Sequence, residues 1–408
     1  MKDTTVQEVD FKDSIFQGTD LNDANGKGMN DPSGITGTNG IGKNEGNGPQ
    51  GILTTYGWNE SLESARKAAG RPDWVPGRVL SEQRHLYHVM TAAGEYRAEV
   101  SGKFRATALG TGDFPAVGDW VLMEVRPRES SATIQAVLPR FSRFSRKAAG
   151  PRADEQIMAA NFDAVLLVMS LNQDFNLRRL ERYLVMAWDS GSLPLVVLTK
   201  RDLAADAEAR MEEVSSVAAG VPVIAISAVT GEGMEQLDPW LVPGKTLVVL
   251  GSSGVGKSTL MNSLAGKQLA LTREIREDDA RGHHTTTHRE LYLLDSGVLM
   301  LDTPGIRELQ LWETETGLDD TFRDITELAE NCRFRDCLHR KEPGCAVREA
   351  LQTGTLAWSR YDSYHKLERE LAHINKKNGI TQNGQSPRAA ERNFGKSVSK
   401  MMRARVKP

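Results

Sequence analysis

Apolar residues thin out over residues 1 to about 50, a stretch of Gly, Asn, Asp, Ser and Thr in which Gly18 to Gly51 shows almost no periodicity. Such a segment cannot bury enough surface to offset its ordering entropy, so a disordered N-terminal extension is predicted over residues 1–75. From Gly77 the texture changes. Val79, Leu86, Tyr87 and Val89 form a short run, Tyr96, Ala98, Val100 and Phe104 alternate with polar residues, and Val117–Val125 and Ala132–Leu138 follow. Short strands separated by turn signals predict a small β-barrel over 76–150, either OB-like or SH3-like. From Asn161 the pattern becomes α/β. Ala164–Met169, Leu195–Leu198, Val223–Ile226 and Leu247–Leu250 are continuous apolar runs suited to buried strands. Leu177, Leu180, Leu184 and Trp188 share one helical face, a helix is predicted around 207–217, and Leu260, Met261 and Leu264 mark another. A hairpin at 290–301 turns at Asp295-Ser296-Gly297. The fold expected for 151–315 is a doubly wound, mostly parallel sheet with ligands at the carboxyl ends of its strands. In 316–375, Tyr361, Tyr364, Leu367, Leu371 and Ile374 make a helical packing stripe.

Composition narrows this picture modestly. The net charge of −3 over 408 residues favours no polyanionic partner globally, so any such contact must be local. Two patches qualify. Arg140-Phe-Ser-Arg143-Phe-Ser-Arg146-Lys147, with Arg152, has no acid between Glu129 and Asp154, and reads either as a phosphate-binding stretch with Phe stacking or as a basic linker. Residues 376–408 carry Lys376, Lys377, Arg388, Arg392, Lys396, Lys400, Arg403, Arg405 and Lys407 against Glu391 alone, as an RNA-binding arm would. There is no secretory signal pattern and no apolar run of membrane-spanning length, and three cysteines cannot make a disulfide framework. The expected setting is cytoplasmic, with reduced thiols and no membrane.

The chemistry centres on residues 251–259, Gly251-Ser252-Ser253-Gly254-Val255-Gly256-Lys257-Ser258-Thr259, between an apolar strand and a helix. The glycines allow backbone N–H groups to surround a phosphate chain, Lys257 would neutralise the β- and γ-phosphates, and Ser258 would hold Mg2+. Asp302, at a strand end in Asp302-Thr303-Pro304-Gly305, is placed for Mg2+, Gly305 for the γ-phosphate, and Thr285 or Thr286 of the 285–287 run for closing onto the metal. Thr199-Lys200-Arg201-Asp202 stands where a guanine-reading motif belongs, Asp202 accepting from the guanine N1–H and 2-amino group, and Ser227-Ala228 would face the base oxygen. These are GTPase parts in an unusual order, base-reading segments first, which reads as a circular permutation. Finally, Cys332-x4-Cys337-x-His339-x5-Cys345 supplies three thiolates and an imidazole, a closed ligand set suited to one structural Zn2+.

Barrel, permuted GTPase and Cys-Cys-His-Cys module together resemble the RsgA (YjeQ/YloQ) family of circularly permuted small ribosomal subunit biogenesis GTPases, over about residues 77–375. The resemblance implies an OB fold for the barrel, GTP hydrolysed to GDP and phosphate with stimulation by the ribosome, late maturation of the 30S subunit, and rRNA contact through barrel and zinc module; the chain is taken as a monomer. Two positions depart from common GTPase patterns. Thr199 replaces the usual Asn and predicts weaker nucleotide binding. Ile306 occupies the usual place of a water-orienting Gln, and the resemblance assigns that role to His284. Two other functions fit the motifs individually: a P-loop ATPase or kinase, which would have no use for Asp202, and an RNA-binding module with a structural nucleotide site.

Overall fold

In the computed structural model, residues 49–83, 85–147, 155–172, 174–266, 289–302 and 317–377 are described. The alternating stretch forms β1 (Val75–Gln83), β2 (Leu86–Thr91), β3 (Gly94–Val100), β4 (Trp120–Arg126) and β5 (Ser131–Val137). Pairing runs 1-2-3-5-4 and back to β1, with β3 and β5 parallel and the other neighbours antiparallel. That circuit closes a five-stranded barrel and decides for the OB type. Val79, Tyr87, Val89, Ala98, Val121, Met123 and Ile134 fill its interior. A short helix, α3 (Gly102–Thr107), lies between β3 and β4 and is capped by the Ser101 hydroxyl, which accepts from the Phe104 N–H.

The outer face of β4 is also apolar, and this corrects the expectation of disorder across 1–75. Residues from 49 onward form α1 (Pro49–Thr55) and α2 (Glu60–Ala68), whose Leu53 and Leu62 are buried with Trp120, Leu122 and Leu138. Trp58 meets Trp120 edge-on at 4.9 Å. The Asn59 side chain accepts from the Leu62 N–H at 3.1 Å, an N-cap that starts α2 and sends Leu62, Ala65 and Ala69 to the same side.

The basic stretch is not a solvated linker, because part of it forms a strand. β6 (Arg143–Lys147) pairs antiparallel with β7 (Glu155–Ala160), so the pair straddles the expected boundary at 150. Phe144 is buried and stacks on Phe162 at 4.8 Å. The Arg140 guanidinium donates to the buried Asp119 carboxylate at 2.7 Å and to the carbonyls of Gly112 and Phe114.

The α/β core consists of β8 (Ala164–Ser170), α4 (Leu177–Asp189), β9 (Leu193–Thr199), α5 (Ala207–Val217), β10 (Val223–Ala225), β11 (Thr246–Leu250), α6 (Lys257–Ala265), β12 (Glu290–Leu293) and β13 (Leu299–Asp302). The sheet order is β10-β9-β8-β11-β13-β12, all parallel except the last. Every residue of β8 and β11 is buried, as strands covered on both faces require. β12 pairs with β1 at Glu290 and Ser81, joining barrel and core into one eleven-stranded sheet. Arg78 knots the junction. It is 2% exposed and donates to the Asn161 carbonyl at 2.7 Å, the Thr246 hydroxyl at 2.8 Å, and the carbonyls of Gly118 and Tyr56. Burial lowers its pKa to about 10.

The C-terminal module comprises α7 (Gly317–Thr321), α8 (Arg323–Ala329), α9 (Ala346–Thr353) and α10 (Trp358–Lys377). It docks on α4. A Cβ on Gly317 would stand 2.2 Å from the Val185 carbonyl oxygen, so only glycine permits this approach. Arg360 is buried, donates to Glu181 of α4 at 2.9 Å and to Asp324 and the Thr321 carbonyl, and lies over the Phe322 ring at 4.1 Å. Leu367 and Leu371 of the helical stripe are buried in the core that the module shares with α4, and Tyr361, Tyr364 and Ile374 pack against it.

Candidate functional site

Parallel strands put their carboxyl ends on one edge of a sheet, and this edge gathers the motifs. β9 ends at Thr199, β10 runs into Ser227, β11 into Gly251, and β13 ends at Asp302. At Gly251 a Cβ would stand 2.3 Å from the Val168 carbonyl oxygen, so the loop turns away from β8 only as glycine. Gly254 and Gly256 have φ of +76° and +94°, a region side-chain-bearing residues seldom take. Val255 is fully buried and anchors the loop from beneath, while Ser253 and Gly254 are exposed. Gly256 caps α6, whose first turn presents half-buried Lys257 and Ser258 and exposed Thr259. The Lys257 ammonium lies back across the loop, donating to the carbonyls of Gly251, at 2.8 Å, and Ser252. A helix N-terminus, inward-turned glycines and an ammonium together form an anion cradle.

The base-reading candidates are tied physically to this cradle. Thr199 is buried, and its hydroxyl donates to the Val255 carbonyl. Lys200 has φ +62° and sends its ammonium to the Gly254 carbonyl at 2.7 Å. One hydroxyl in place of an amide thus still fastens the strand end to the phosphate loop. Arg201 links the loop after β9 to the loop after β10. Its N–H donates to the Ile226 carbonyl at 3.1 Å, and its guanidinium donates to Glu232 at 2.6 Å and Glu208 at 2.9 Å. The Ser227 N–H donates to the Glu232 carbonyl at 2.8 Å, and the buried Ser227 hydroxyl accepts from the Thr230 N–H at 3.2 Å. Asp202 is exposed beside this joint, and Ala228 is half-buried. Glu232 and Glu208 escape a motif search because they act as partners of Arg201. Asp302 pairs with Glu290 across β12, one residue past the Val248–Leu301 register of β11 and β13. His284, Thr285, Thr286, Gly305 and Ile306 lie outside the described residues.

A second cluster lies in the C-terminal module. The ligand atoms of Cys332, Cys337, His339 and Cys345 all fall within 4.8 Å of one another. His339 Nδ1 is 3.5 Å from both Cys332 Sγ and Cys345 Sγ, and those two sulfurs are 3.9 Å apart. A tetrahedral ion with bonds of about 2.3 Å to sulfur and about 2.0–2.1 Å to nitrogen needs edges of about 3.8 Å and about 3.6 Å, so the donors fit a metal of zinc's size and preference. Burial pushes the Cys332 thiol up, but hydrogen bonds from the Val347 and Ala346 N–H groups at the start of α9, together with those from Cys345 and Cys337, lower it overall and favour the thiolate a metal requires. Burial likewise lowers the His339 pKa and keeps the imidazole neutral. The Tyr361 hydroxyl donates to the His339 carbonyl at 2.7 Å. The Glu342 carboxyl, which the sequence did not single out, is held at about 2 by the N–H groups of Glu342 itself, Lys341, Arg340 and Leu338.

Comparison with known proteins agrees with this geometry. The RsgA GTPase family model matches residues 137–312. An ABC transporter model matches residues 234–407, a span that includes the phosphate loop but neither base-reading segment. The chain is 48% identical over 299 residues to small ribosomal subunit biogenesis GTPase RsgA 2 of Lactiplantibacillus plantarum, covering 73% of this chain and 84% of that one. It is 45% identical over 359 residues to RsgA 1 of Listeria innocua, covering 87% and 98%. Among solved structures, YjeQ from Thermotoga maritima aligns with a TM-score of 0.56 at 29% identity, over 73% of this chain and 99% of that one. YloQ, described as a circularly permuted GTPase, aligns with a TM-score of 0.53 at 26% identity, over 75% and 97%. With relatives 48% and 45% identical matched over most of their length and the family model matching residues 137–312, the chain belongs to the RsgA family of GTPases.

Proposed function

We propose that this chain hydrolyses GTP to GDP and phosphate while bound to the small ribosomal subunit, and assists its late maturation. The observation that carries this reading is the pair of ties from Thr199 and Lys200 to Val255 and Gly254, which fix a guanine-type motif beside a phosphate cradle in the permuted order. In this reading Asp202 selects guanine, and Ala228 offers its N–H to the base oxygen. The N–H groups of residues 251–259 cradle the phosphates, and Lys257 leaves the loop carbonyls for the β/γ oxygens. Mg2+, held by Ser258 and Asp302 with Thr285 or Thr286 closing on it, would neutralise charge developing on the transferred phosphoryl group. Gly305 donates to the γ-phosphate, and His284 orients the attacking water. Cys332, Cys337, His339 and Cys345 hold one structural Zn2+, and the rRNA-facing surface is shared by barrel, module and basic tail. The protein acts as a cytoplasmic monomer without a membrane partner; among the described residues no helix is long and apolar enough to cross one.

The test is the GTPase rate with and without 30S subunits, in competition with ATP. Stimulation by 30S that GDP suppresses and ATP does not is expected. Equal competition by ATP would favour an ATPase or kinase, and 30S binding that is indifferent to GDP and a non-hydrolysable GTP analogue would reduce the nucleotide to a structural role. His284→Ala should lower the stimulated rate and spare GTP binding; an unchanged stimulated rate refutes its role.

A further inference from the structure

The loop from Cys337 to Cys345 carries His339 yet has little core of its own, since Leu338, Arg340 and Lys341 are exposed. It is nevertheless shaped. Glu342, the only acid between the two cysteines, turns its carboxylate back onto the loop. It accepts from the N–H of Arg340 at 2.7 Å, of Lys341 at 2.8 Å and of Leu338 at 3.3 Å. Leu338 and Arg340 flank His339, so the histidine's peptide is gripped on both sides, and Tyr361 holds its carbonyl. His339 adopts φ +59°, a conformation an L-residue keeps only where its surroundings impose it. The outcome is Nδ1 standing 3.5 Å from two ligand sulfurs.

We propose that Glu342 is a positioning residue for the metal site, its carboxylate folding the 338–341 backbone into the shape that presents His339 to the three cysteines. This rests on reading the cluster as a zinc site. Without the carboxylate, the loop must be ordered by the metal itself, and that ordering cost is subtracted from affinity. Partners outside the ligand set characteristically matter by about 10–100-fold in metal affinity. Glu342→Ala should therefore weaken zinc binding by about tenfold or more. Glu342→Gln should fall between, because its oxygen still serves Arg340 and Lys341 while its NH2 group faces the Leu338 N–H.

The experiment uses the full chain. Zinc affinity and release rate are measured by competition with a chromophoric chelator, and the Co2+-substituted protein is examined at saturation. The expected result is weaker, faster-releasing Glu342→Ala protein whose saturated Co2+ spectrum matches the parent. Lys341→Ala, which keeps its backbone N–H, should bind as the parent does. A parent chain that holds no zinc would sink the zinc reading itself. A parent that holds zinc alongside an equally tight Glu342→Ala would overturn the role of Glu342. So would an altered saturated spectrum, which would mean displaced ligands, or a loss in Lys341→Ala as large as in Glu342→Ala, which would mean a side-chain ion pair in place of the backbone grip.

Discussion

Arg360 joins the C-terminal module that carries the Cys3His cluster to the GTPase core, and its removal has a calculable consequence. Its guanidinium and the Glu181 carboxylate are 6% and 3% exposed and 2.9 Å apart. Truncating Arg360 leaves Glu181 buried without its cation, which costs about 3–5 kcal/mol. The bonds to Asp324 and to the Thr321 carbonyl are lost as well. Glu181→Gln keeps an acceptor and leaves Arg360 paired with Asp324, so its cost should be about 1.5–3 kcal/mol, that of one hydrogen bond to a charged group. Replacing both residues, Arg360→Met with Glu181→Leu, removes the stranded charge and should recover most of the loss. Amide hydrogen exchange of α4 and α7 to α10 in zinc-saturated protein measures the opening free energy directly. The expected order is parent, then Glu181→Gln and the double variant, with Arg360→Met opening most readily. Arg360→Met within 1 kcal/mol of the parent, or a double variant as damaged as Arg360→Met alone, would refute the reasoning.

Thr199→Val keeps shape and removes the hydroxyl that fastens the phosphate loop, stranding the Val255 carbonyl. GDP affinity measured with a fluorescent analogue should fall about 5–30-fold, corresponding to about 1–2 kcal/mol; unchanged affinity would show that the tie does not position the loop. Leu62→Ala should destabilise the barrel by about 2–5 kcal/mol in urea denaturation, and an unaltered midpoint would show that α2 contributes nothing to it. Gly317→Ala forces a methyl against the Val185 carbonyl and should cost about 1–3 kcal/mol, read as faster proteolysis of α7; parental resistance would show that the contact yields without strain.

Legibility followed how local each signal was. Strand ends and glycine loops are local, so the sheet edge carrying Thr199, Ser227 and Gly251 could be read directly, and so could the cysteine spacing. The barrel's type could not, because the parallel β3–β5 pair depends on which distant strands meet. The helices of residues 49–69 carry a weak signal because Leu53, Trp58 and Leu62 are sparse in a polar stretch; the Asn59 cap followed by Leu62, Ala65 and Ala69 is the local mark of α2. The Arg140–Lys147 stretch is ambiguous for another reason. Its charge suggested solvent, but Asp119, 21 residues earlier, neutralises Arg140, and Phe144 turns inward. A charge run conveys the number of cations and not where their counter-charges fold.

The permutation also imposes an order on synthesis. β8 emerges from the ribosome well before β11, the strand that covers its second edge. About 80 residues separate their ends, so at about 5–20 residues per second the nascent chain waits roughly 4–16 s with that edge uncovered. The sequence left waiting is Ala-Val-Leu-Leu-Val-Met-Ser, uncharged and rich in β-formers, the kind of strand that pairs with a neighbouring chain. This protein's yield in cells should therefore depend on elongation rate and chaperone supply more than its final stability suggests.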